Sequence, residues 1–224
     1  MAGMVVAGVL GYIFVGGLLR QSTDFNRSFA NEKNPITGND LTSGKKPIWV
    51  PGQSGSMAEN DEIGRAKEAV KTFVDDQSSK NNVALVEFNT KVTTLVPLDS
   101  VELNRQTILD KTALLNGNGN TAVHDALSSS TTALNKTADN NRIQAIVLQI
   151  DGQDTTSVVH INDIVRAITN ARNGSAPVLD IPVAYGKDAD VNVLGRIARA
   201  SDTNVQSGDP ATIKKLPTII GRYF

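Results

Sequence analysis

The run Ile143, Ala145, Ile146, Val147, Leu148, Ile150 is apolar at odd and even positions alike. An edge strand or a half-exposed strand alternates, whereas a strand covered on both faces does not, so this segment reads as the middle of a mainly parallel sheet with helices above and below. The rest of the chain supplies the covering. After Pro47–Val50, a first strand, the stretch 61–77 puts Ile63, Ala66, Val70, Phe73 and Val74 on one helical stripe. Val83–Phe88 and Lys91–Val96 read as strands joined by a tight Asn89-Thr90 turn, which makes one of them an antiparallel edge. Further helices are expected over 121–134, from Val123, Ala126, Leu127 and Leu134, and around Ile161, Ile164, Val165 and Ile168. Another is expected from Val191, Leu194, Ile197 and Ala198, capped by Asp188 or Asp190. Val178–Tyr185 reads as a strand that Pro182 interrupts, because proline has no N–H for a ladder. Asp209-Pro210 opens a last helix with Ile213, Leu216 and Ile220 inward and Pro217 as a kink. Strands alternating with helices give a doubly wound α/β domain over residues 46–224.

Ahead of it, Met1 to Leu19 carry no charged side chain, and at 1.5 Å per residue they form about 28 Å of helix, the thickness of a bilayer core. The expectation is a single transmembrane helix over 1–19 and a polar juxtamembrane linker over 20–45. Gly3, Ala7 and Gly11 form a small-residue stripe suited to a helix–helix partner in the membrane. Arg20, Arg27 and Lys33 follow the span and nothing basic precedes it, which by charge alone puts the large domain in the cytoplasm.

The remaining composition mainly excludes. A net charge of −1 gives no general attraction to nucleic acid, the absence of cysteine removes disulfides and thiol chemistry, and two histidines leave little for a histidine-rich metal site. Three Asn-x-Ser/Thr triplets, at Asn26, Asn135 and Asn173, are about what an Asn- and Ser-rich chain contains by chance.

The polar residues that matter sit after strands. Ser54-Gly55-Ser56-Met57 follows the first strand, Thr121 opens a helix, and Asp151-Gly152 follows the central strand. All three belong at the carboxyl edge of the sheet, where open α/β folds bind ligands, and their hydroxyl and carboxylate oxygens suit hard divalent cations. With Arg65–Val74, Val83–Phe88, Gly119–Ala126, Ile150–Asp154 and Val183–Gly186, these stretches resemble, in the right order, the von Willebrand factor A domain family from about Lys46 to Phe224. The resemblance implies a metal-ion-dependent adhesion site with Ser54, Ser56 and Thr121 as direct hydroxyl ligands and Asp151 acting through water. The implied cation is Mg²⁺, with Mn²⁺ or Ca²⁺ as alternatives, and an acidic side chain of a protein partner completes its coordination. The family pattern also implies a membrane-anchored, extracytoplasmic domain, against the charge count.

The chain departs from the pattern at the first loop, where Gly52 stands in place of an aspartate and Pro51 precedes it. At about 4 Å and an effective dielectric near 20, one unit-charge pair is worth about 4 kcal/mol before solvent compensation, so the loss weakens any cation site. Asp202-Thr203-Asn204, where a Gly-rich turn is usual, and Pro217 are further departures. A rival is therefore a metal-independent structural subunit of a membrane complex or filament. An enzyme reading, with Ser54 in an elbow-like Gly52–Ser56 followed by Asp151 and His160, fails on Ser56 in place of glycine and on the short Asp-to-His interval. The expectation is binding without catalysis, with His124 and His160 outside any metal site and Asp125 and Asp154 steadying loops.

Overall fold

Every residue of β4 (Gln144–Ile150) is buried, and the rest of the domain is arranged around it. The computed structural model describes residues 46–50, 62–79, 81–115, 120–136, 144–174, 176–185, 188–209, 211, 212, 214, 215 and 219. The expected transmembrane helix, the linker, Gly52, Ser54, Ser56 and Pro217 lie outside these residues. Among the described residues, no helix is long and apolar enough to cross a membrane.

β4 pairs in parallel with β1 (Lys46–Val50) on one side and β5 (Val178–Ala184) on the other. β1 pairs with β2 (Asn82–Phe88), and β3 (Val92–Ser100) runs antiparallel to β2 at one margin. A two-residue β6 (Gln206–Ser207) closes the other margin, giving the order β3-β2-β1-β4-β5-β6. The turn between β2 and β3 is held by Asn89, whose N–H donates to the Lys91 carbonyl and whose Oδ1 accepts from the Lys91 N–H, both at 3.0 Å. A short polar side chain that bonds its own backbone is what such a turn needs.

Side-chain alternation along the strands separates two cores. On one face, Ala66, Val70, Phe73 and Val74 of α1 (Glu62–Asp75) and Val101 and Ile108 of α2 (Val101–Ala113) pack on Leu85, Val147 and Ile181. On the other, α3 (Val123–Lys136), α4 (Ile161–Arg172) and α5 (Val191–Ala200) bring Leu127, Leu134, Ile164, Ile168, Leu194 and Ile197 against Val86, Phe88, Ile146, Leu148 and Ile150. Each such large side chain contributes about 1.5–3 kcal/mol by leaving water. The doubly wound α/β architecture with one antiparallel margin is as the sequence implied.

Three local expectations are corrected. α2 has no counterpart in the sequence reading, because its buried stripe is Val101, Asn104, Ile108 and Thr112, half of it polar, while Leu103 and Leu114 face water. Asn104 earns its buried place by donating from Nδ2 to the carbonyls of Val83 and Pro97, both at 2.7 Å. Ser100 starts the helix by accepting from the Leu103 N–H. Secondly, β5 runs unbroken through Pro182, which pairs with Leu148. The Tyr185 N–H donates to Ile150 in β4, whereas the carbonyls of Ala184 and Asp180 accept from Gly208 and the Thr203 hydroxyl on the opposite side. Pro182 shares the parity of Ala184 and Asp180, so its missing N–H falls on the outer side and costs the β4 ladder nothing. Thirdly, Val191, one of the apolar residues that mark α5, is exposed at its first turn, and of the two candidates Asp188 and Asp190 it is Asp190 that caps the helix, accepting from the Asn192 and Val193 N–H groups.

Asp202 adopts a positive φ of 55°, the conformation in which glycine is usual, immediately after α5. Asp209 accepts from the N–H and hydroxyl of Thr212, and these bonds hold its carboxyl down at about 2. Its helix-opening role agrees with the sequence, although Pro210, Ile213, Leu216 and Ile220 lie outside the described residues.

Candidate metal centre

The carboxyl ends of β1 and β4 share one rim, since Val50 is in register with Leu148. From that rim the chain leaves β1 four residues before Ser54. β4 continues to Ile150, and Asp151 and Gly152 follow it, both buried. The Gly152 carbonyl accepts from the Asp190 N–H at 3.1 Å, which fixes the start of α5 against the same loop.

Thr121, fully buried two residues ahead of α3, is tied to the loop that Asp151 opens. Its N–H donates to Thr155 Oγ1 at 2.9 Å, and its carbonyl accepts from the N–H groups of Thr155 and Thr156 at 2.9 and 3.0 Å. The first turn of α3 is capped by the same loop across space. The His124 N–H donates to Ser157 Oγ and to Asp154 Oδ2, and the Asp125 N–H donates to Ser157 Oγ. Asp154 is itself positioned by Ser157, whose N–H and hydroxyl both donate to it. In return the Asp125 carboxylate accepts from the N–H groups of Val158 and Val159, at 3.1 and 2.8 Å. Polar groups that would otherwise be orphaned at a helix start and in a loop thus satisfy each other.

Of the sequence-derived residues, Thr121 and Asp151 belong to two segments that this network joins, and Ser54 and Ser56 lie outside the described residues. Asp125 and Asp154 steady the loops as expected. His124 is packed, with Nδ1–H donating to the Val159 carbonyl at 3.1 Å and Asp154 Oδ2 3.8 Å away, and His160 is an exposed residue at the start of α4. Ser157 and Thr155 were missed, although the polar run Asp154–Ser157 directly after an apolar strand is the signal that carries them.

A divalent cation is tested by the donors present. The Thr121 hydroxyl is buried without a hydrogen-bond partner among the described residues, a state that costs about 1–3 kcal/mol unless a ligand uses its lone pairs. Hydroxyl and carboxylate oxygens match Mg²⁺, Mn²⁺ and Ca²⁺. No group of three or more His, Cys, Asp or Glu side chains suited to a metal exists among the described residues. Thr121 and Asp151 fit such an ion.

Glu87 also reaches this rim, near the carboxyl end of β2. It is half-buried, and burial raises its carboxyl above the usual range. Farther along the rim, burial pushes the Tyr185 hydroxyl up, and the Tyr185 ring packs so closely on Gly208 that a Cβ there would lie 2.6 Å from its carbons.

Residues 50–218 match the model of the von Willebrand factor type A domain. A von Willebrand factor type A structure from Catenulispora acidiphila is 24% identical, with a TM-score of 0.64, over 79% of this chain and 40% of that one. BatB from Bacteroides thetaiotaomicron, described as a conserved hypothetical protein, is 15% identical with a TM-score of 0.60, over 77% and 95% of the two chains. Proximal thread matrix protein 1 from the mussel byssus, in a form with a zinc-occupied MIDAS motif, is 17% identical with a TM-score of 0.59, over 77% and 46%. The chain thus spans less than half the length of the Catenulispora and mussel proteins. No curated protein matches it.

Proposed function

The chain belongs to the von Willebrand factor type A domain family, and on that premise we propose that it is a protein-binding module whose partner docks at the carboxyl rim of the sheet. The observation that carries this reading is the Thr121 hydroxyl, buried and without a hydrogen-bond partner among the described residues, on a segment stitched to the loop that Asp151 opens. Ser54, Ser56, Thr121 and Asp151 are proposed to hold Mg²⁺ or a similar cation, and a partner's carboxylate to complete it. The zinc in the mussel relative's MIDAS motif makes a cation in this fold chemically reasonable. The uncharged run 1–19 is proposed as a single membrane anchor, with Gly3, Ala7 and Gly11 toward a second helix and the domain on the extracytoplasmic side. No catalytic role is proposed.

Gly52 favours a second reading, in which the domain packs constitutively in a membrane complex without a cation. Calorimetric titration of the full-length chain with Mg²⁺ and Mn²⁺ separates the two. Saturable heat that disappears in Asp151→Ala supports the metal-bridged module. Absence of heat in the wild-type chain defeats it and leaves the constitutive subunit.

A further inference from the structure

The second halves of α3 and α4 line a groove of about 410 Å³, a volume within the range of about 300–1,000 Å³ that small-molecule sites occupy. Ala176, just ahead of β5, also lines it, so the groove lies toward the end of the sheet opposite the carboxyl rim. Its α3 wall is Ser128, Thr131, Thr132 and Asn135, a spacing that puts three hydroxyls and a carboxamide on one helical stripe. The α4 wall repeats that spacing with Ala167, Asn170, Ala171 and, just past the helix, Gly174. Three of those four residues are alanine or glycine, and their small size leaves the space open. No charged side chain among the described residues lines it.

One lining group lacks what a helix commonly gives it. A threonine hydroxyl within a helix can bond the carbonyl four residues earlier, as Thr169 does with Val165 at 2.9 Å. Thr131 is only 3% exposed, and its hydroxyl has no hydrogen-bond partner among the described residues. A buried hydroxyl in that state is destabilising until an incoming group uses it. Asn135 and Asn170, exposed on the two walls, each bring a donor and an acceptor, and the alanine methyls bring an apolar patch. We propose that this groove binds a neutral saccharide unit, whose hydroxyls meet Thr131 and the two carboxamides and whose C–H face lies on Ala167 and Ala171. A wall without charge disfavours phosphate, carboxylate and amine ligands, and its hydroxyls and carboxamides disfavour a wholly apolar one. Thr131 stands eight residues along α3 from Val123, about 12 Å from the rim end of that helix, so the site is separate from the candidate metal centre and does not depend on a cation.

The test is saturation-transfer NMR on the full-length chain in EDTA, with glucose, maltose and soluble dextran as probes and triglycine as a peptide control. Saturable transfer to the sugars is expected, with millimolar affinity for so small a contact. Thr131→Val keeps the shape and removes the hydroxyl; it is expected to weaken binding at least tenfold while its unfolding temperature equals or exceeds that of wild type. Asn170→Ala is expected to weaken binding severalfold. Binding of glucose and maltose without dextran supports the proposal with a free sugar as ligand, and binding of all three supports it with a glycan. Absence of saturable transfer to any sugar overturns the proposal. Transfer that is unchanged in both variants overturns it as well, since the sugar would then sit elsewhere. A response to triglycine alone, lost in Thr131→Val, overturns the saccharide assignment in favour of a peptide.

Discussion

Two acids on adjacent strands, Asp151 after β4 and Asp180 within β5, are both almost wholly shielded from water, and their situations are opposite. Asp151 begins a loop at the strand end, within a rim of reciprocal hydrogen bonds. Asp180 lies mid-strand, in register with Ile146, on the face covered by α3, α4 and α5. Its backbone is well served, with N–H donating to Ser201 Oγ at 2.5 Å and carbonyl accepting from Thr203 Oγ1 at 2.6 Å. Its carboxylate oxygens have no partner among the described residues, and burial pushes the group up to about 8. Position along the strand decides what a buried carboxyl becomes: at the end it opens a loop held by reciprocal hydrogen bonds, and in the middle it stays protonated and burdens the fold.

The largest expected effect tests the mid-strand half of that contrast. Because the folded carboxyl titrates near 8 and the unfolded one near 3.8, the folded chain keeps a proton that the unfolded chain has released. The contribution of Asp180 to stability is therefore greatest below about pH 4 and declines as pH rises toward 8, by on the order of 5 kcal/mol. Urea midpoints at pH 5 and pH 8 should fall more steeply for wild type than for Asp180→Asn, and equal slopes would break the comparison.

The next effect belongs to the rim. Asp154→Ala removes the acceptor for the Ser157 N–H, the Ser157 hydroxyl and the His124 N–H, and should cost about 2–3 kcal/mol of unfolding free energy. Any cation affinity should fall with it, since Thr121 hangs on the same loop. A variant as stable as wild type would mean that the rim is not cooperative. The smallest effect is at the start of α5: Asp190→Ala deletes a cap beside Gly152 and should cost about 1 kcal/mol, seen as an unfolding temperature lowered by a few degrees. A loss above 2 kcal/mol would show that this cap also supports the rim loop.

The features legible in the sequence were those with a period or a chemical signature. The run around Ile146 announced the sheet centre, Asp190 its helix, and Asp125 and Asp154 their loop duties. What escaped depended on partners distant in the chain. α2 was hidden because the polar Asn104 on its buried stripe is satisfied by the carbonyls of Val83 and Pro97, neither adjacent to it in the chain. Ser157 caps a helix more than thirty residues earlier, a relation that no local pattern encodes. Pro182 misled because its effect depends on which flank of the strand its nitrogen faces.

The orientation of Pro182 also matters for life among many copies of the chain. Beyond the two residues that β6 covers, the free side of β5 shows an imide nitrogen where a newcomer strand would look for a donor, while Ser201 and Thr203 occupy the backbone of Asp180 further back. That margin gives little to template on, so the sheet is guarded there against edge-to-edge growth into aggregates or swapped oligomers.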